Sequence, residues 1–188
     1  MPTVDDILQL IDVQVRNLII SRAMLPLLRS NLVGATAFPT APFYRNRGWD
    51  VAFSFRQPLT EQTIQDFNSA GRWVNESFVI RLYALLEAND IIPKEGKGKI
   101  DQRLEGYEAI DILRRLRQQY AHSPGHYDPS DTDKRRLFER IVKTYSLEDL
   151  DPDTADVFPV PIDKFLIPMA NGCKRYVLAL AQRESTKK

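Results

Sequence analysis

Two histidines and one cysteine are all that this chain of 188 residues offers for imidazole or thiol chemistry. One histidine, His122, closes the run Leu113-Arg114-Arg115-Leu116-Arg117-Gln118-Gln119-Tyr120-Ala121-His122, which is followed by Ser123-Pro124-Gly125. A histidine side chain titrates near neutrality, so it can take a proton from a hydroxyl or return one to a departing oxygen. An arginine keeps its charge and grips phosphate oxygens through parallel hydrogen bonds, which suits it to the charge that builds up in a phosphoryl transition state. Together the two residue types suit cleavage of a phosphodiester bond in RNA, with no metal or other cofactor required.

The spacing sets conditions on that chemistry. Arg117 and His122 are about 140° apart around a continuous helix of 3.6 residues per turn, so an unbroken helix keeps them from meeting. Ser123-Pro124-Gly125 predicts that the helix stops at the histidine, because proline disfavours helix in the residue before it and glycine suits a C-terminal turn. That turn can swing the imidazole back. Arg115 lies only about 20° from His122 around the axis, so either arginine can approach, and a second copy of the chain can complete a site. Arg114, Arg115, Gln118 and Tyr120 are the supporting candidates. His126 reads first as a loop residue and second as a further catalytic group.

Other chemistries lack their residues. Gly96-Lys97-Gly98 is too short and wrongly placed for a phosphate loop, and no glycine-flanked serine elbow occurs. One cysteine, Cys173, excludes an intramolecular disulfide and any multi-cysteine metal cluster; a buried thiol is the expectation. The carboxylate pairs Asp5-Asp6 and Asp149-Asp151 read as helix-start or solvated charge. With 26 basic against 25 acidic residues the net charge is +1, so no global field points to nucleic acid and any binding must come from a local patch. No apolar stretch is long and charge-free enough for a membrane span, and the expected location is the cytoplasm.

The elements that must position Arg117 and His122 are helical. Thr3 caps a first helix, with Asp5 and Asp6 favourable at its positive end, and Pro26 is expected to kink it or end it early. Thr60 caps a second that runs to about Asn89, with Gly71 marking a close helix crossing. A third is predicted from near Asp101 to Ala121, with Leu104, Tyr107, Ile110, Leu116 and Tyr120 facing inward. Ser130 with Asp133 resembles a capping box for a fourth that continues to Tyr145. Asp163 caps the last, with Pro168 in its first turns.

Between the first two helices, residues 35–59 break the pattern. Pro39, Pro42 and Pro58 punctuate them, Trp49, Val51, Phe53 and Phe55 alternate as a strand does, and Arg45-Asn46-Arg47-Gly48 reads as a turn. The expectation is an all-α bundle of about five helices in a single domain over residues 1–188, with a hairpin-like arm at 35–59 and an exposed linker at 93–99.

This combination resembles the HEPN domains, small helical bundles marked by an R-x(4–6)-H motif near the end of one helix. Arg117 to His122 matches the four-residue spacing, and Gln118 supplies the polar residue that often follows the arginine. The resemblance implies a bundle that dimerises through the motif helix and brings two Arg–His pairs into one cleft. It implies a metal-independent endoribonuclease, commonly serving in toxin–antitoxin or phage-defence systems, with an antitoxin or defence protein as a further partner. Two departures stand out: asparagine is commoner than glutamine after the arginine, and Pro124 occupies the position where some toxin subfamilies carry a tyrosine.

Two accessory surfaces remain. Lys134, Arg135 and Arg136 begin the helix after the motif and could extend an RNA track, against the plainer reading of a solvated helix face. Phe38, Phe43, Tyr44, Trp49 and Phe55, interleaved with Arg45, Arg47 and Arg56, could stack unpaired bases, although such aromatics more often cover a bundle or a partner subunit. The alternative to a nuclease is a catalytically silent helical module that binds RNA or protein.

Overall fold

The computed structural model describes residues 2–94, 99–122 and 126–186. Among the described residues six α-helices carry the architecture: α1 (Val4–Met24), the single turn α2 (Pro42–Arg45), α3 (Glu61–Ala88), α4 (Tyr107–His122), α5 (Thr132–Tyr145) and α6 (Ile167–Ser185). Two three-residue strands, β1 (Ala37–Pro39) and β2 (Ala52–Ser54), pair antiparallel with Phe38 opposite Phe53. The fold is therefore all-α with a small hairpin arm, as the sequence pattern predicts. Of the linker at 93–99, residues 95–98 lie outside the described residues. No helix among the described residues is long and apolar enough to cross a membrane.

Several helix ends follow from local chemistry. The Thr3 hydroxyl accepts from the Asp6 N–H at 3.2 Å and the Asp6 carboxylate accepts from the Thr3 N–H at 2.8 Å, a reciprocal cap on α1. α1 stops at Met24, two residues before Pro26, as the steric demand of proline requires. The Thr60 hydroxyl accepts from the Thr63 N–H at 3.1 Å at the start of α3. At α5 the cap differs from the expectation. Asp131, not Ser130, accepts from the N–H groups of Asp133 and Lys134, while Ser130 donates its hydroxyl to Asp128. A carboxylate one residue closer to the helix outcompetes the hydroxyl. The last helix begins with a π-helical turn (Ile162–Leu166), after which Pro168 sits in the first turn of α6, where its missing N–H costs nothing.

The chain divides into two compact units, Arg16–Asn75 and Met1–Val15 with Glu76–Lys188; the division falls inside α1 and α3. In the larger unit, Ile110, Ile112, Leu113 and Leu116 of α4 are fully buried, as are Phe165, Leu166, Met169 and Cys173 from the last helical segment. α4 and α6 cross so closely that a Cβ on Gly172 would come within 2.4 Å of the Ala109 Cβ. The predicted start of α4 near Asp101 is six residues too early. Gly106 adopts φ +81°, a left-handed conformation that interrupts the helix, and a Cβ there would lie 2.1 Å from the Gly172 carbonyl oxygen. Contact with a distant helix thus decides where α4 begins.

The smaller unit has its own core of Leu28, Phe38, Leu59 and Ile64, with Leu32, Phe53, Phe55 and Phe67 packed around it. Phe38 stacks on Phe53 and Phe55, with ring centroids 4.9 and 5.7 Å apart. Gly71 marks a close approach, as expected: a Cβ there would overlap the buried Arg22 guanidinium.

Candidate active site

α4 presents two faces. Its apolar face buries Leu113, Leu116 and Tyr120, and its polar face carries Arg114, Arg117, Gln118 and His122. These four polar residues line one cleft of about 1090 Å³ in the larger unit, opposite Tyr83 and Glu87 of α3 and next to Asp101, Arg103, Tyr176 and Arg183. His122 is the last residue of α4 and is exposed. The turn expected to swing its ring back, at residues 123–125, lies outside the described residues. His126 is exposed and is not among the lining residues, and Tyr120 points into the core, edge-on to Phe158 at 6.4 Å.

The cations of this cleft differ in how their charge is met. Arg114 donates to the Asp111 carboxylate at 2.7 Å. Arg103 and Arg183 both donate to Asp101, whose carboxyl is held below its ordinary value by the Arg103 hydrogen bond first. Arg117 has no carboxylate partner among the described residues. Its guanidinium carbon instead lies 5.3 Å from the centroid of the Tyr83 ring, within cation–π range. Tyr83 is buried and its hydroxyl donates to Glu87 at 3.3 Å; burial pushes the phenol up, and Glu87 adds to the effect. Arg117 therefore lies beside a buried aromatic ring, with no ion pair among the described residues.

Arg115 takes no part in the cleft lining. It donates to Asp111 at 3.0 Å, one helical turn back, because side chains on a helix lean toward its N-terminus. Arg140 of α5 reaches the same carboxylate at 2.6 Å and forks onto Glu108 at 2.5 and 2.6 Å. Burial pushes the Asp111 carboxyl up, but hydrogen bonds from Arg140, Arg114 and Arg115 outweigh it and hold the group below its ordinary value. Glu108 is lowered chiefly by Arg140, and Arg140 in turn is raised by Glu108.

Of the other basic candidates, Arg135 is clamped by Glu139 and Asp153, at 3.0 and 2.6 Å, and Arg136 lies 3.9 Å from Asp133. Lys134 is half-buried, and none of the three lines the cleft. Cys173 is fully buried and its thiol is pushed up to about 12 by burial, which keeps it protonated and unreactive. Among the described residues no group of three or more His, Cys, Asp or Glu side chains is arranged to hold a metal ion.

Tyr83, Asp101, Arg103 and Arg183 are cleft residues that inspection of the motif helix misses. Tyr83 and Arg183 come from α3 and α6, and Asp101 and Arg103 from the turns that lead into α4; no local spacing announces them. Asp111 carries a readable signal, since its i+3 and i+4 neighbours are both arginines. Comparison with protein-family models, with curated proteins and with solved structures found no match.

Proposed function

We propose that the protein is a metal-independent endoribonuclease of HEPN type, acting at the cleft on α4. The observation that carries this reading is that Arg117, beside Tyr83 and without a carboxylate partner among the described residues, lines the same cleft as the exposed His122. In the reaction, Arg117 holds the non-bridging oxygens of the scissile phosphate. His122 takes the proton of the adjacent 2′-hydroxyl, or in its protonated form gives one to the departing 5′-oxygen. The 2′-oxygen forms the new P–O bond as the 5′-oxygen leaves, so the products are a 2′,3′-cyclic phosphate and a free 5′-hydroxyl.

One imidazole cannot be base and acid at the same instant. A homodimer apposing two such clefts supplies the second histidine, and this is the assembly the reading requires. The cellular setting that accompanies it is a toxin–antitoxin pair or a phage-defence system in the cytoplasm, with an antitoxin or defence protein as the further partner.

The test is incubation with an unstructured RNA in excess chelator, comparing wild type with His122→Ala and Arg117→Ala. The expected result is cyclic-phosphate ends from wild type and a loss of about 100-fold or more in either variant, the scale of removing a general acid–base or a charge-stabilising donor. No cleavage by wild type, or equal cleavage by all three proteins, removes the reading.

A further inference from the structure

The net charge of +1 conceals an asymmetry between the two units. Arg16–Asn75 contains seven arginines, no lysine and three carboxylates, Asp50, Glu61 and Asp66. Arg29, Arg45, Arg47 and Arg56 are exposed, and none has a carboxylate partner among the described residues. We propose that the hairpin arm of this unit, through Arg45, Arg47 and Arg56 with Phe43 and Trp49, is a binding surface for single-stranded nucleic acid.

The arm is built so that its arginines stay outside while Phe38, Phe53 and Phe55 stay within. Along β2 and beyond, Phe53 and Phe55 turn inward while Ala52, Ser54 and Arg56 are exposed, and on β1 Phe38 is buried between exposed Ala37 and Pro39. At the tip, Arg47 lies 3.8 Å over the Phe43 ring, and its Nη1 donates to the Phe43 carbonyl at 3.0 Å. That contact pre-orients the guanidinium of an exposed residue, which lowers the entropy lost when it grips a phosphate. Phe43 and Trp49 are only partly buried and both lie between β1 and β2, where they can stack against unpaired bases but have no access to bases inside a duplex.

The exclusive use of arginine separates the candidate partners. A lipid headgroup or an acidic protein is served equally well by lysine, whereas planar, bidentate contact with phosphate together with stacking favours arginine. Partly exposed aromatics beside such arginines complete the recognition of a sugar–phosphate chain with open bases.

Binding is measured in the His122→Ala protein, so the result does not depend on whether the cleft cleaves RNA. A labelled 20-nucleotide oligomer of uridine and adenosine is titrated at several salt concentrations against the parent, an Arg45→Gln/Arg47→Gln/Arg56→Gln variant and an Arg81→Gln/Lys164→Gln/Arg175→Gln variant. The latter removes three exposed charges from the other unit. The arm variant is expected to bind about tenfold or more weakly at moderate salt, with a log–log salt slope shallower by about two, the value for three lost single-strand contacts. The control variant is expected to bind as the parent does. Equal weakening in both variants, an unchanged arm variant, or preference for a duplex or for phosphatidylserine vesicles over the single strand each overturns the proposal. Thermal unfolding of the arm variant checks that a loss of binding is not a loss of fold.

Discussion

Arginines of the motif region and arginines of the hairpin arm meet opposite fates. On α4 and α5, Arg114, Arg115 and Arg140 converge on Asp111, which is almost fully buried, and Arg140 also forks onto Glu108. On the arm, Arg45, Arg47 and Arg56 face solvent without a carboxylate partner among the described residues. The first set is neutralised, with Arg140 bridging two helices and Arg114 and Arg115 pairing within one; the second leaves its charge available. A count of basic residues therefore says little about where a polyanion binds, because pairing inside the fold decides which charges reach outward. Arg117 shows the same distinction at short range. It is two residues from Arg115, yet it meets a tyrosine ring where Arg115 meets a carboxylate.

The sharpest way to break this comparison is to remove the shared carboxylate. Asp111→Ala leaves Arg114 and Arg115, both half exposed, without a carboxylate and Arg140 with Glu108 only, and is expected to cost about 3 kcal/mol, the low end for breaking a buried ion pair. The measurement is denaturant unfolding. A change below about 1 kcal/mol means that the cluster is not what joins α4 to α5. Arg140→Ala comes next, at about 2 kcal/mol, since Asp111 keeps the two arginines of its own helix.

Acid sharpens the comparison without mutation. Asp111 and Glu108 both titrate below their ordinary values in the folded protein. A carboxylate with a depressed folded pKa contributes stability above its unfolded pKa and loses that contribution as pH falls through the folded value. The melting temperature is expected to hold between pH 7 and about 5 and to drop below about pH 4, where free carboxyls begin to protonate. Asp111→Asn should flatten that drop, and an identical profile in the variant would show that the acid sensitivity arises elsewhere.

The smallest effect belongs to the arm. Arg45→Gln/Arg47→Gln/Arg56→Gln is expected to change stability by no more than about 0.5 kcal/mol, as befits exposed side chains outside ion pairs. A loss comparable to that of Arg140→Ala would assign these arginines a structural role and erase the contrast.

Legibility from sequence follows the range of the interaction. Thr3 and Thr60 cap helices through hydrogen bonds spanning three residues, and proline stops α1 through contacts just as local, so both features read directly from the chain. The arm's turn and alternating strand also read correctly, although the helical turn at Pro42–Arg45 between the strands does not. The start of α4 is misread because it depends on Gly106 pressing against Gly172 of α6. Within the cleft, the Arg117–His122 spacing is visible in one short run of residues. Tyr83, which receives the Arg117 guanidinium, lies on another helix with no pattern to link the two.

By itself, the amino-acid sequence determined the helical class, most helix ends, the hairpin arm and the one run where arginine and histidine stand close enough for shared chemistry. Each of these rests on forces acting over a few residues of chain. Tertiary structure alone decided that Arg140 would be neutralised from another helix, that Arg117 would lie beside Tyr83 in a cleft shared with His122, and that the arm's arginines would be left facing water. Electrostatic pairing and burial act through space over a few ångströms, and the partners they bring together are separated by dozens of residues along the chain.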